Sequence, residues 1–160
     1  MVLSTQYGGT EPITVKGTAH GYSGGQLFNF ATISGGSPGY NRYLAESGGL
    51  GVSVGGGNFL SNSGLIEGNG QGNGVYIQRN ALAINYGTIT GNGAAIMDGG
   101  TLINAGTLSG AEASVYFNGD GGTLEVYPNA VFIGAIFGAG FGNGSDIIFD
   151  GPLSGHRLRI

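Results

Sequence analysis

Cysteine is absent from the 160 residues, so neither a disulfide framework nor a thiolate metal site can be built. Charge is almost as scarce. Lys and Arg together number 5 against 9 Asp and Glu, which leaves a net charge of −4 and no basic field to hold a phosphate backbone. Nucleic acid is therefore not an expected partner. The acids (Glu11, Glu46, Glu67, Asp98, Glu112, Asp120, Glu125, Asp146 and Asp150) are scattered singly, so they form neither a polyanionic tail nor a dense cation trap. Long hydrophobic runs are missing too. The longest apolar stretch, Val131 to Phe141, is interrupted by Gly134 and Gly138 and falls well short of the about 20 residues that a membrane helix needs. It reads as two buried strands divided by glycine, and this chain is not expected to span a membrane. No segment sustains an apolar period of 3.6 residues, so helices are not expected.

What the chain has in abundance is glycine, 37 residues beside only 4 prolines and with no triplet spacing. Collagen is excluded, and the glycines must punctuate short strands instead. With 40% hydrophobic residues there is apolar material for a continuous core.

An internal repeat organises that material. Asn62-Ser-Gly64-Leu-Ile66-Glu-Gly68 recurs as Asn85-Tyr-Gly87-Thr-Ile89-Thr-Gly91 and as Asn104-Ala-Gly106-Thr-Leu108-Ser-Gly110, at intervals of 23 and 19 residues. A looser copy begins at Asn29 and a degraded one at Asn129, where Val131 and Ile133 take the places of the glycine and the aliphatic residue. A second strand repeats between the copies. Val75-Tyr76-Ile77, Ala95-Ile96-Met97 and Val115-Tyr116-Phe117 lie 20 residues apart. Strand alternation points Val75, Ile77, Ala95, Met97, Val115 and Phe117 into a core, and Tyr76, Ile96 and Tyr116 outward, stacked at the inter-strand spacing of about 4.8 Å. A third strand comes from Leu82-Ala83-Ile84, Leu102-Ile103 and Leu124-Glu125-Val126.

Three strands per period predict an all-β right-handed parallel β-helix, a solenoid of about six or seven coils of roughly 20 to 23 residues each. Residues 1–26 depart from the repeat and read as an irregular N-terminal segment or cap, with the β-helix over 27–160. Asn62, Gly64, Asn85, Gly87, Asn104 and Gly106 are its structural corners. A corner between parallel strands needs left-handed backbone, which selects Gly and then Asn, and the stacked Asn amides are placed to form a hydrogen-bonded ladder.

Asn104–Gly110, the strand at 74–77 and Gly121-Gly-Thr-Leu-Glu-Val-Tyr-Pro-Asn-Ala-Val-Phe132 together resemble the passenger repeats of bacterial autotransporters. Gly142-Asn-Gly-Ser-Asp146-Ile-Ile-Phe149 is similar to the ending of that pattern. The resemblance covers most of Leu27 to Phe149. It implies secretion through an outer membrane and a non-catalytic β-helical stalk displayed at the bacterial surface, with a glycan or a host-surface protein as the partner of any adhesive part. The opening ten residues carry no signal peptide and the residues after Phe149 cannot supply a translocator barrel. A fragment or a stand-alone relative is therefore expected.

Candidate chemistry is sparse. Parallel β-helices also host polysaccharide lyases and glycoside hydrolases, which need carboxylates gathered on one outer face. The best pair is Asp98 with Asp120, both just after the second strand, and the repeat places no Lys, Arg or His beside them. They read as loop solvation, and an enzyme is not expected. His20 and His156 have no companion at ligand spacing, so no transition-metal site or cofactor is expected. Gly142-x-Gly144-x-Asp146 fits a calcium-binding nonapeptide, but such sites require tandem copies and this one stands alone, so Asp146 supplies at most half a calcium site. Outward Tyr76 and Tyr116 are the ligand-contact candidates, because exposed aromatics offer contact area at little entropic cost. The ends of a solenoid expose parallel-strand edges, so self-association through them is expected unless the tail covers the last coil.

Overall fold

Each segment with apolar residues at alternate positions forms a strand, and each interval rich in glycine or asparagine turns the chain. The computed structural model describes residues 13–15, 24–36, 49–138, 144–150 and 156–159. Strand β1 (Ile13–Val15) precedes a first turn made of β2 (Gln26–Asn29), β3 (Thr32–Ser34) and β4 (Val52–Val54). The second turn comprises β5 (Phe59–Asn62), β6 (Leu65–Glu67) and β7 (Val75–Gln78). In the next two turns the second and third strands fuse into one bent strand. Thus β8 (Leu82–Asn85) is followed by β9 (Thr88–Asp98), and β10 (Thr101–Asn104) by β11 (Thr107–Phe117). A further pass, β12 (Gly122–Val126) and β13 (Val131–Phe137), leads to β14 (Ser145–Phe149) and β15 (His156–Arg159).

Equivalent strands stack in parallel and make three faces. The first is β2, β5, β8, β10, β12 and β14, closed by β15 in antiparallel register. The second is β3, β6 and the leading halves of β9, β11 and β13. The third is β1, β4, β7 and the trailing halves of the same long strands. The chain is thus an all-β parallel β-solenoid of about four turns, without a helix among the described residues. That is fewer turns than the about six or seven expected from dividing length by period. The first turn consumes 33 residues, from Asn29 to Asn62. Beyond Phe137 the chain adds one parallel and one antiparallel strand in place of another closed turn. Within 1–26, β1 extends the third face in register with β4.

The core follows the alternation. Leu27, Leu60, Ala83, Leu102 and Leu124 line the first face, Ile33, Ile66, Ile89 and Leu108 the second, and Val52, Val75, Ala95, Val115 with Val54, Ile77, Met97 and Phe117 the third, all buried. Each buried Leu, Ile or Phe contributes about 1.5–3 kcal/mol relative to exposure. Because every turn supplies the same positions, its apolar surface is covered only when a neighbour stacks on it.

Two readings of the corners are corrected. Positive φ belongs to Asn80, Asn129 and a separate set of glycines, not to Asn62, Gly64, Asn85, Gly87, Asn104 or Gly106. These residues do occupy corners, but the glycines are required by contact between turns. A β-carbon on Gly64 would lie 2.1 Å from the Ala31 carbonyl oxygen, and one on Gly106 2.2 Å from that of Gly87. Ala31 holds the same place in the first turn, where no described strand of the second face lies beneath it. The degraded fifth copy is also out of register. Val126 lies opposite Asn104 and Val131 opposite Thr107, so the corner carrying Asn129 is two residues longer and Asn129 falls outside the asparagine column.

Candidate functional site

At the corner between the first and second faces, four buried asparagines form one hydrogen-bonded column. The amide of Asn29 donates to Asn62 Oδ1, that of Asn62 to Asn85 Oδ1 and that of Asn85 to Asn104 Oδ1, each at 2.8 Å. The same amides reach the carbonyls of Leu65, Thr88 and Thr107 in the following turn. The Oδ1 atoms of Asn29, Asn62 and Asn104 accept the N–H two residues ahead, that of Ala31, Gly64 or Gly106. Every atom of this column is committed to the fold, so it offers nothing to a ligand.

The third face is different. Ser53, Tyr76, Ile96, Tyr116 and Phe137 occupy one outward column on successive strands. Beside it lie the connection between β6 and β7, which supplies Gln71 and Asn73, and the place where β11 slips register between Gly110 and Ala113 and leaves Glu112 exposed on a bulge. The result is a groove of about 400 Å³ with Tyr76, Ile96 and Tyr116 in its floor and Gln71, Asn73, Asn92, Glu112 and Asn118 around it. Its walls are held by hydrogen bonds. Asn73 Oδ1 accepts the Gly93 N–H at 2.9 Å, and the Asn92 amide donates to Glu112 Oε2 at 2.9 Å.

The two tyrosines named from the sequence both line this groove, in unequal settings. Tyr76 is half-buried, and its hydroxyl donates to Asp98 Oδ2 at 2.5 Å. Burial first, and then the Asp98 carboxylate, push its pKa up to about 12. Tyr116 is 41% exposed and leans on Phe137, with ring centroids 6.1 Å apart and planes at 62°. The tyrosines do not stack on each other, because Ile96 stands between them.

Asp98 and Asp120 are neighbours on adjacent turns, the Asp120 N–H donating to Asp98 Oδ1 at 3.4 Å. The expectation that no base stands beside them is overturned. Arg79, one turn before Asp98 and two before Asp120, places Nη2 2.8 Å from Asp120 Oδ2. No repeat marks Arg79; only the stacking register, which sets Gln78 against Asp98, brings it there. The cluster is self-satisfied. Both oxygens of Asp98 have donors and Asp120 has a cation, so neither matches two carboxylates facing each other across a substrate bond. Glu67 accepts the hydroxyl of Ser34, and its neighbour on the other side is Thr90.

Asp146 lies on β14 opposite Thr123 of β12, so the position where a tandem calcium loop would carry its second carboxylate holds a threonine. Among the described residues no group of three or more His, Cys, Asp or Glu is placed to hold a metal ion. His20, Gly142 and Asn143 lie outside the described residues, as does the side chain of His156. No protein-family profile, curated protein or solved structure matches the chain.

Proposed function

We propose that this chain is a non-catalytic module of a secreted or surface-displayed protein of the autotransporter-passenger kind, a β-solenoid stalk that carries an adhesive groove on its third face. The observation that carries the reading is the groove itself. Among the described residues it is where exposed aromatic surface, side-chain amides and a bulge-displayed carboxylate converge. The repeats support the stalk part, since parallel strands and an asparagine column suit a rod built by adding turns. The proposed partner is a glycan or a cell-surface protein, with neither metal nor cofactor involved.

A second reading, a carbohydrate-active β-solenoid enzyme, is favoured by the meeting of Asp98, Asp120 and Arg79 near one end of the groove. It is the weaker reading, because all three groups already serve one another. Beads coated with the protein test the first reading. Retention on bacterial or host cell surfaces that falls when Tyr116 is replaced by Ala supports adhesion, and retention equal to that of uncoated beads defeats it. Release of reducing ends or unsaturated products from a polysaccharide panel, lost in Asp98→Asn, would instead establish the enzyme.

A further inference from the structure

We propose that the groove on the third face takes an uncharged oligosaccharide lying along the solenoid axis, a specificity that rests on the adhesive reading above. Tyr76 and Tyr116 sit on strands two apart in the stack, about 10 Å from one another at the inter-strand spacing. A ligand that touches both must be longer than a single sugar ring. The hydroxyl of Tyr76 is spent on Asp98, so what this residue offers is its ring. The ring of Tyr116 is propped by Phe137 and exposed. Ring faces of this kind suit the C–H face of a sugar, and the amides around them supply both donors and acceptors for its hydroxyl groups.

Charge decides the class of glycan. The groove lining contains one carboxylate, Glu112, and neither Lys, Arg nor His. Asp98 accepts the hydroxyl of Tyr76, and the cation closest to Tyr76 along the chain, Arg79, is paired with Asp120. A uronate, sialic acid or sulfated sugar would bring its anion against these carboxylates with no cation to offset desolvation. A peptide is disfavoured for another reason. The floor strands β7, β9 and β11 each have hydrogen-bonded neighbours on both sides, so no free edge is available for an added strand.

Calorimetric titration of the whole chain with cello- and malto-oligosaccharides and with oligogalacturonate tests this. We expect binding of a neutral series that strengthens from the monosaccharide to the longer oligomers and weakens by at least about tenfold in Tyr116→Ala. Oligogalacturonate should bind only after Glu112→Lys. Circular dichroism of both variants keeps folding in view, and since both side chains point outward the fold should be unchanged. Tighter binding of oligogalacturonate than of any neutral sugar by the unmodified chain overturns the proposed specificity and leaves the adhesive groove standing. Tyr116-dependent cell retention without oligosaccharide binding overturns it in favour of a protein partner. Absence of both defeats the specificity and the adhesive reading together.

Discussion

Gly87 rests directly on the peptide of Gly64 one turn below: a β-carbon added to Gly87 would lie 2.1 Å from the Gly64 carbonyl oxygen. The contact is backbone on backbone, so no side chain can swing away to admit a methyl group. Gly87→Ala should therefore destabilise the chain by about 1–3 kcal/mol, the cost of overpacking a rigid site. Gly119 is the control, since nothing lies within 4 Å of its would-be β-carbon. Gly119→Ala should be neutral or stabilise by up to about 1 kcal/mol through the unfolded state. Urea melts of the two variants check the contrast, and equal losses would refute the contact argument.

The asparagine column makes a second test. Asn85 accepts from Asn62 and donates to Asn104 and to the Thr107 carbonyl, so Asn85→Ala removes three buried hydrogen bonds and leaves a cavity between two turns. A loss of about 2–4 kcal/mol is expected. Asn29 donates upward to Asn62 but has no described asparagine beneath it, and Asn29→Ala should cost visibly less. Equal midpoints for the two variants would show that the column does not act as a connected unit.

Much of this architecture was legible in the sequence, because a period that puts Ile33, Ile66, Ile89 and Leu108 at one place per turn is both a linear pattern and a column of core contacts. The pairing of Val75, Ala95 and Val115, and the outward direction of Tyr76 and Tyr116, followed from the same register. Two kinds of feature were hidden. The reason for the corner glycines lies in the gap between turns, which no single turn encodes. The approach of Arg79 to Asp120 joins turns whose loops do not repeat. Alignment failed at Asn129 because a corner gained two residues while keeping Asn and an aliphatic residue near their usual places.

Tyr76 should make stability depend on alkaline pH. Its folded pKa of about 12 stands above the ordinary value of 10.0, so the folded state holds the proton more tightly than the unfolded state. The contribution is complete below pH 10.0 and is lost as pH rises towards about 12. Allowing for the partial exposure of the ring, on the order of 1–2 kcal/mol should disappear over that window. Thermal melts of the natural chain and of Tyr76→Phe across the same pH range isolate this part, because the two chains differ only in that hydroxyl. Parallel curves for the two would refute it.

Strand β15 covers the last edge of the first face, but among the described residues no strand follows β13 on the other two faces, and Val131, Ile133 and Phe137 on it are exposed. An apolar, unpaired edge is a template for another chain. Sedimentation should show weight-average mass rising with concentration, and Ile133→Lys should suppress the rise without lowering the melting temperature. A monomer at every concentration would count against an open end.

The asparagine column also has a direction. The amides of Asn29, Asn62 and Asn85 each donate to the following turn, and the series stops at Asn104, whose amide returns to the Gly106 carbonyl of its own turn because Val126 holds the next place. Each turn is thus finished by its successor, so amide hydrogen exchange should be graded along the rod, slow near Asn62 and fast beyond Val126. A chain whose early turns stay shut while its late ones breathe would also have a preferred end at which to thread, stall or resume.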